Sequence, residues 1–319
     1  MFGEARSLIA ASDGELVMSE ELGDLLFEAH GLDPRRYAEE WIPYLTSLDC
    51  WSGQSYAFAD LESFARWHEV LPFMTLTFHP YDYVDRVDPM IGFAQDPVIG
   101  HITAIDLQDY VCTPEVFAAL VSARLDALRD LTCGWNVGSD DEVAALAGAP
   151  WAPGLRALRS WNTRPSFSGL EALFTSGRFG ALEELSYGGD LSARAVVASG
   201  KAAFPALRKL TLSQTRMSLD VLLALLSAGV FEGVRELDLS GNLFDERGVR
   251  RLASSPSLRA VETLDVRGVH LGDHTVDILE RRIPRNLPNL STLCVRPGQV
   301  DEQALGRAPA LRSKLGFVS

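Results

Sequence analysis

Val234-Arg-Glu-Leu237-Asp-Leu239-Ser-Gly-Asn242 constrains this chain more than any other short stretch, because its spacing recurs. Apolar residues at the first, fourth and sixth positions return at Leu207/Leu210/Leu212, Val261/Leu264/Val266 and Leu290/Leu293/Val295. Upstream they return at Ile102/Ile105/Leu107, Leu128/Leu131/Cys133 and Leu182/Leu185/Tyr187, and at Leu155/Leu158 with Ser160 in the third place. Two weaker copies stand at Leu45/Leu48/Cys50 and Leu71/Met74/Leu76. Every step between first positions lies between 25 and 29 residues, except the 31 from Leu71 to Ile102. A period that steady marks stacked structural repeats.

Apolar residues two apart alternate across a short strand, pointing inward while their neighbours point outward. A helical stretch follows each strand. Asp245 is placed to cap a helix that turns Val249 and Leu252 inward, with Ser254-Ser255-Pro256 ending it. Residues 218–227 predict another helix, closed by Gly229, and Gly272-Asp273 opens a third that stops near Pro284. One strand–helix unit cannot bury its own apolar face, so neighbours must stack. At about 4.8 Å between strands, ten repeats predict a sheet roughly 43 Å long.

Residues 1–44 fall outside the repeat. Glu20–Ala29 reads as an amphipathic helix ended by His30-Gly31, and a second helix starts after Asp33-Pro34 and runs toward Trp41. The expected division is a helical N-terminal cap over 1–44, a solenoid of about ten repeats over 45–300, and a C-terminal cap over 301–319.

Leu-Asp-Leu-Ser-Gly-Asn242, followed by Gly248-Val249-x-x-Leu252-Ala253-Ser-Ser-Pro256-x-Leu258, resembles bacterial leucine-rich repeat proteins of the ribonuclease-inhibitor-like type. The resemblance covers about residues 45–298 and is sharpest over 207–282. It implies an α/β fold: a leucine-rich repeat solenoid, or horseshoe, with parallel strands on the concave face and helices on the convex face. It also implies protein–protein recognition, without naming a partner.

Lys and Arg number 29 against 43 Asp and Glu, a net charge of −14. Such a chain repels a phosphate backbone, so no nucleic-acid partner is expected. Half of that charge sits in residues 1–44, with ten acids against Arg6, Arg35 and Arg36. From Arg281 onward the sign reverses, with seven bases against Asp301 and Glu302. No secretory signal or membrane-length apolar run is present, so a cytoplasmic protein without a membrane partner is expected.

Little points to chemistry. Cys50, Cys112, Cys133 and Cys294 lie far apart and form no metal-binding pair. Cys50 and Cys133 fall on inward positions, and Cys294 on the concave face with no histidine brought beside it. His270 and His274 have metal-like spacing, but the turn at Gly272-Asp273 separates them. Asp140-Asp141 stand where a helix should begin. No phosphate-binding loop or nucleophile elbow occurs. No metal, cofactor or catalytic residue is expected.

The concave face is the remaining candidate site. Its partner-binding residues are predicted to be Trp51, Phe73, Asp106, Asp109, Tyr110, Asp130, Trp135, Arg159, Trp161, Glu184, Glu236 and Asp238. Aromatic residues among acids have the composition of an interface centre and rim. The leading expectation is a non-enzymatic scaffold that holds a protein with a basic surface, as an inhibitor or assembly factor. The alternative is a GTPase-activating or hydrolytic protein with its site in the irregular 77–101 stretch, which carries His79 and His101.

Overall fold

The computed structural model describes residues 3, 7–9, 20–47, 55–58, 61–72, 75–78, 95–107, 114–133, 140–161, 175–188, 204–269 and 271–317. Among these residues eleven parallel strands form one sheet in chain order. They are β1 (Ser55–Phe58), β2 (Thr75–Phe78), β3 (Ala104–Leu107), β4 (Asp130–Cys133), β5 (Ala157–Trp161) and β6 (Glu184–Gly188), then β7 (Lys209–Thr211), β8 (Glu236–Asp238), β9 (Thr263–Asp265), β10 (Thr292–Val295) and β11 (Leu315–Phe317).

The repeat spacing is the cause of this order. Leu131, Leu158, Leu185, Leu210, Leu237, Leu264 and Leu293 stand side by side across seven consecutive strands, all buried. The first apolar positions, Ile102, Leu128, Leu155, Leu182, Leu207, Val234, Val261 and Leu290, are all essentially inaccessible. One carbonyl between the first and second apolar positions accepts two successive N–H groups from the next repeat. Arg129 O takes Arg156 N and Ala157 N at 2.7 and 2.9 Å, and Arg156 O takes Glu183 N and Glu184 N at the same distances. Thr103, Glu183, Arg208, Arg235 and Glu262 do likewise. The stack is thus bonded where each strand begins as well as along it.

Asn242 closes the far end of its strand. Its Nδ2 donates to Leu212 O and Leu239 O, at 2.7 and 3.0 Å. Its Oδ1 accepts from Thr215 N, Thr215 Oγ1 and Met217 N at 2.9–3.1 Å. Gln299 plays the same part after β10, donating to Val266 O and accepting from Gly268 N and Arg296 N.

The described helices are α1 (Glu20–Leu32), α2 (Pro34–Arg36), α3 (Ile42–Thr46), α4 (Leu61–Val70), α5 (Pro114–Ser122), α6 (Asp140–Gly148), α7 (Leu219–Ala228), α8 (Glu246–Leu252), α9 (Asp273–Asn286), α10 (Glu302–Gly306) and α11 (Pro309–Arg312). The expected Asp245 cap forms, and Ser218 caps the helix that follows it. Ser218 Oγ accepts from Val221 N, and Asp245 Oδ1 from Arg247 N at 2.8 Å. Gly229, with φ 71°, ends α7 in the left-handed conformation. Helix α6 starts at Asp140, as read. Helix α9 runs two residues past Pro284, and Asn286 Nδ2 donates to Ala253 O at 2.9 Å.

Three expectations need correction. Helix α1 continues through His30-Gly31 to Leu32, and Asp33 then caps α2. No strand begins at Leu45, which is buried in α3; a π-helical turn at Tyr37–Trp41 joins α2 to α3 and carries the helix past Trp41. Pro34 supplies a pre-set first turn and Leu45 faces the core, so apolar spacing there served a helix. The first strand comes at Ser55–Phe58. In β2 the phase also differs, because Phe78 stands opposite Ile105. At the other end, β11 adds a strand beside β10 that the repeat spacing did not announce. No helix among the described residues is long and apolar enough to cross a membrane.

Candidate interaction surface

Outward side chains of the strands fall into two rows. The first runs through Ala104, Asp130, Ala157, Glu184, Lys209, Glu236, Thr263 and Thr292. The second runs through Asp106, Thr132, Arg159, Ser186, Thr211, Asp238, Asp265 and Cys294. Parallel pairing with constant register makes each row a line of chemistry along the sheet.

Arg159 is the centre of these rows. It lies in the second row, between Thr132 and Ser186, and reaches into the first row on both sides of Ala157. Nη1 donates to Asp130 Oδ1 at 2.6 Å, while Nε and Nη2 each donate to a Glu184 oxygen at 2.9 Å. Lys209 Nζ adds a contact to Glu184 at 3.3 Å. Ala157 carries too little side chain to interrupt this, and is itself buried. Burial pushes the Glu184 carboxyl upward, but the Arg159 hydrogen bonds and the charges of Arg159 and Lys209 outweigh it and hold the group below its usual range. The Glu184 hydrogen bond raises the Arg159 guanidinium further, against desolvation, with Asp130 adding to the rise. Asp130 and Glu184 were read as acids offered to a partner; here they share one cation inside the protein.

A second cluster closes the strand ends of β8 and β9. Asp238 Oδ1 accepts from Ser240 N at 2.8 Å, and Asp265 Oδ1 from Arg267 N at 3.0 Å. The Arg267 side chain returns to Asp265, with Nε 2.8 Å from Oδ2. Cys294 neighbours Asp265 on β10, and burial followed by the Asp265 charge pushes its thiol upward. A thiol held protonated is a poor nucleophile.

Of the predicted partner-binding residues, Asp106, Asp130, Arg159, Glu184, Glu236 and Asp238 take outward strand positions. Trp161 ends β5. Trp51, Phe73, Asp109, Tyr110 and Trp135 lie outside the described residues, as do 79–94 of the irregular stretch. His101 stacks on His68 of α4, with ring centroids 4.5 Å apart. His274 is exposed in the first turn of α9, and His270 lies outside the described residues. Among the described residues no three potential ligands of His, Cys, Asp or Glu type gather to hold a metal ion. Lys209, Asp265 and Arg267, outward by the repeat alternation but not among the predicted partner-binding residues, complete the charge pattern; their register beside Glu184 and Asp238 is the signal for including them.

No family model matches the chain, and no curated protein matches it. Among solved structures it is similar to that of the Rad7 and Elc1 complex in yeast, with 15% identity, 81% of this chain and 70% of that chain covered, and a TM-score of 0.52. The fold is a leucine-rich repeat solenoid. Weaker likenesses link this solenoid to a Bacteroides fragilis protein (14% identity, 83% and 72% covered, TM-score 0.40) and to an internalin from Listeria monocytogenes (15%, 76% and 67%, 0.44). At such identities the likeness concerns the fold and says nothing of a partner.

Proposed function

We propose that this leucine-rich repeat solenoid is a non-enzymatic scaffold whose concave face receives another protein, one with a basic surface. The observation that carries the reading is the charge pattern of the outward rows. Asp130 and Glu184 are committed to Arg159, so the acids offered to a partner concentrate at Glu236 and Asp238. Beside them the Arg159 network presents a surface whose side chains are already ordered, which lowers the entropy cost of docking. The solved structure similar in fold is that of a complex, of Rad7 and Elc1, in keeping with a scaffold role. Inhibition of the partner or assembly with it both fit such a face, and we keep the ribonuclease-inhibitor-like type as part of this reading. The reading places the protein in the cytoplasm and gives it no metal or cofactor.

The test is binding to the protein that the immobilised chain retains from its own cells. Replacing Asp106, Trp135 and Trp161 together by Ala should weaken binding at least tenfold, and the wild-type affinity should fall as salt rises. Unchanged affinity in that variant excludes the concave face.

A further inference from the structure

The two ends of the solenoid differ in charge and in texture. On the first helical layer, Leu32 stands at the end of α1 with 69% of its surface exposed; among the described residues Leu243, at 70%, is the other large apolar side chain so exposed. It borders a groove of about 240 Å³ lined also by Ala29, Asp33, Arg36, Tyr37, Glu40 and Trp41. Tyr37 and Trp41 stack at 5.6 Å, and the Tyr37 hydroxyl is tied to Val70 O at 2.9 Å, so the groove floor is fixed. Around it Asp24, Glu28, Glu39 and Glu40 are exposed. Arg35 and Arg36 answer only Glu39 and Glu40, each through an exposed pair worth little.

The last layer carries an excess of bases. Glu280 on α9 is used internally, accepting from Ala310 N and Leu311 N at 3.0 and 2.7 Å to start α11. Arg307 pairs with Asp273 at 3.5 Å, and Arg282 is bound to Arg250 O and the Ser254 hydroxyl. Arg281, Arg285 and Arg312 remain exposed with no ion-pair partner among the described residues, and Asp277 closes no bridge to Arg281 one turn away. Strand β11 pairs only with β10 among the described residues.

We infer that copies of this chain associate head to tail, the arginine-bearing α9–α11 layer of one copy seating on the acidic, Leu32-bordered groove of the next. Charge complementarity selects the occupant. Among the described side chains of the first layer Asp24, Glu28, Asp33, Glu39 and Glu40 stand against Arg35 and Arg36, and from Asp273 to Lys314 the last layer has seven bases against five acids. Two copies apposed head to head would bring acid to acid, and tail to tail would bring base to base. Because the contact joins two different faces, it does not close as a two-fold dimer and adds further copies instead. The net charge of −14 opposes association at long range, so the contact is weak and electrostatic.

Sedimentation velocity of the 319-residue chain tests this. In roughly 25 mM salt, rising concentration should convert the 34.9 kDa species into dimers and then longer assemblies, and roughly 500 mM salt should return it to monomer. Arg281→Glu/Arg285→Glu/Arg312→Glu and, separately, Leu32→Lys should each sediment as monomer with unchanged circular dichroism. Mixed together they retain one intact face of each kind, and should form a one-to-one dimer that grows no further. A wild-type chain that stays monomeric at every concentration overturns the inference. So does association that both variants retain, or a mixture that forms no dimer.

Discussion

Arg159 of β5 donates two hydrogen bonds of 2.9 Å to the two oxygens of Glu184 on β6, 25 residues further along the chain. The same guanidinium reaches Asp130 on β4 at 2.6 Å. One cation therefore joins three consecutive repeats on the face that we assign to partner binding. All three side chains are at most about one-third exposed, so the pairing is screened less than an ordinary surface bridge.

Arg159→Ala leaves two partly buried carboxylates facing each other across Ala157. It should cost about 2 kcal/mol in urea denaturation at neutral pH, since an unpaired buried charge costs more than the bridge contributed. Arg159→Lys should recover less than half of that, because an ammonium cannot reproduce the forked geometry. Two variants of equal stability would contradict the bidentate role.

Acid should weaken the fold in two separable stages. His68 is held below its ordinary value by burial and then by His101, and Glu184 below its own by Arg159 and Lys209 against burial. A group lowered in the fold binds more protons when unfolded. Its stabilisation is complete above the unfolded value and is lost as pH falls through the folded one. His68 should therefore begin to withdraw stability below about pH 6.5, and Glu184 below about pH 4.3. Denaturation midpoints across pH should show that His68→Gln removes the upper loss and Glu184→Gln part of the lower one.

Much of this architecture was legible because a leucine ladder tolerates little variation. Leu131 through Leu293 are both a sequence pattern and the physical spine of the sheet. The pattern misled at Leu45, where the same apolar spacing suits a helix entered through Pro34. It also missed β11, whose Leu315-Gly316-Phe317 lacks the leading leucines and is held by pairing to β10. At the candidate site, the outward positions of Asp130, Arg159 and Glu184 followed from alternation. Their mutual pairing did not, because it depends on Arg159 crossing from one row to the other over Ala157.

Asn242 gathers five hydrogen bonds in a buried pocket between two repeats. Asn242→Ala strands the carbonyl of Leu239 and the N–H groups of Thr215 and Met217, and leaves Leu212 O only the Thr215 hydroxyl at 3.1 Å. The expected loss is about 3 kcal/mol, and hydrogen exchange should be fastest around residues 212–217 and 239–242. A loss below about 1 kcal/mol would mean that water replaces the amide fully.

Gly248 sits inside α8, where replacement by Ala would ordinarily gain about 1 kcal/mol of helix propensity. Here an added Cβ would lie 2.6 Å from Phe244 Cδ2 and 3.0 Å from its Cβ. Phe244 is itself buried. Gly248→Ala should lower the melting temperature, and a rise would show that α8 can shift outward.

The central claim is that the concave face, and not the helical back, binds the partner. Its most direct test compares the partner affinity of Glu236→Lys/Asp238→Lys with that of the convex variant Arg251→Glu/Arg259→Glu, on the same retained protein. The account predicts at least tenfold weaker binding for the first variant and unchanged binding for the second. Loss in the convex variant with full binding by the concave one would contradict it.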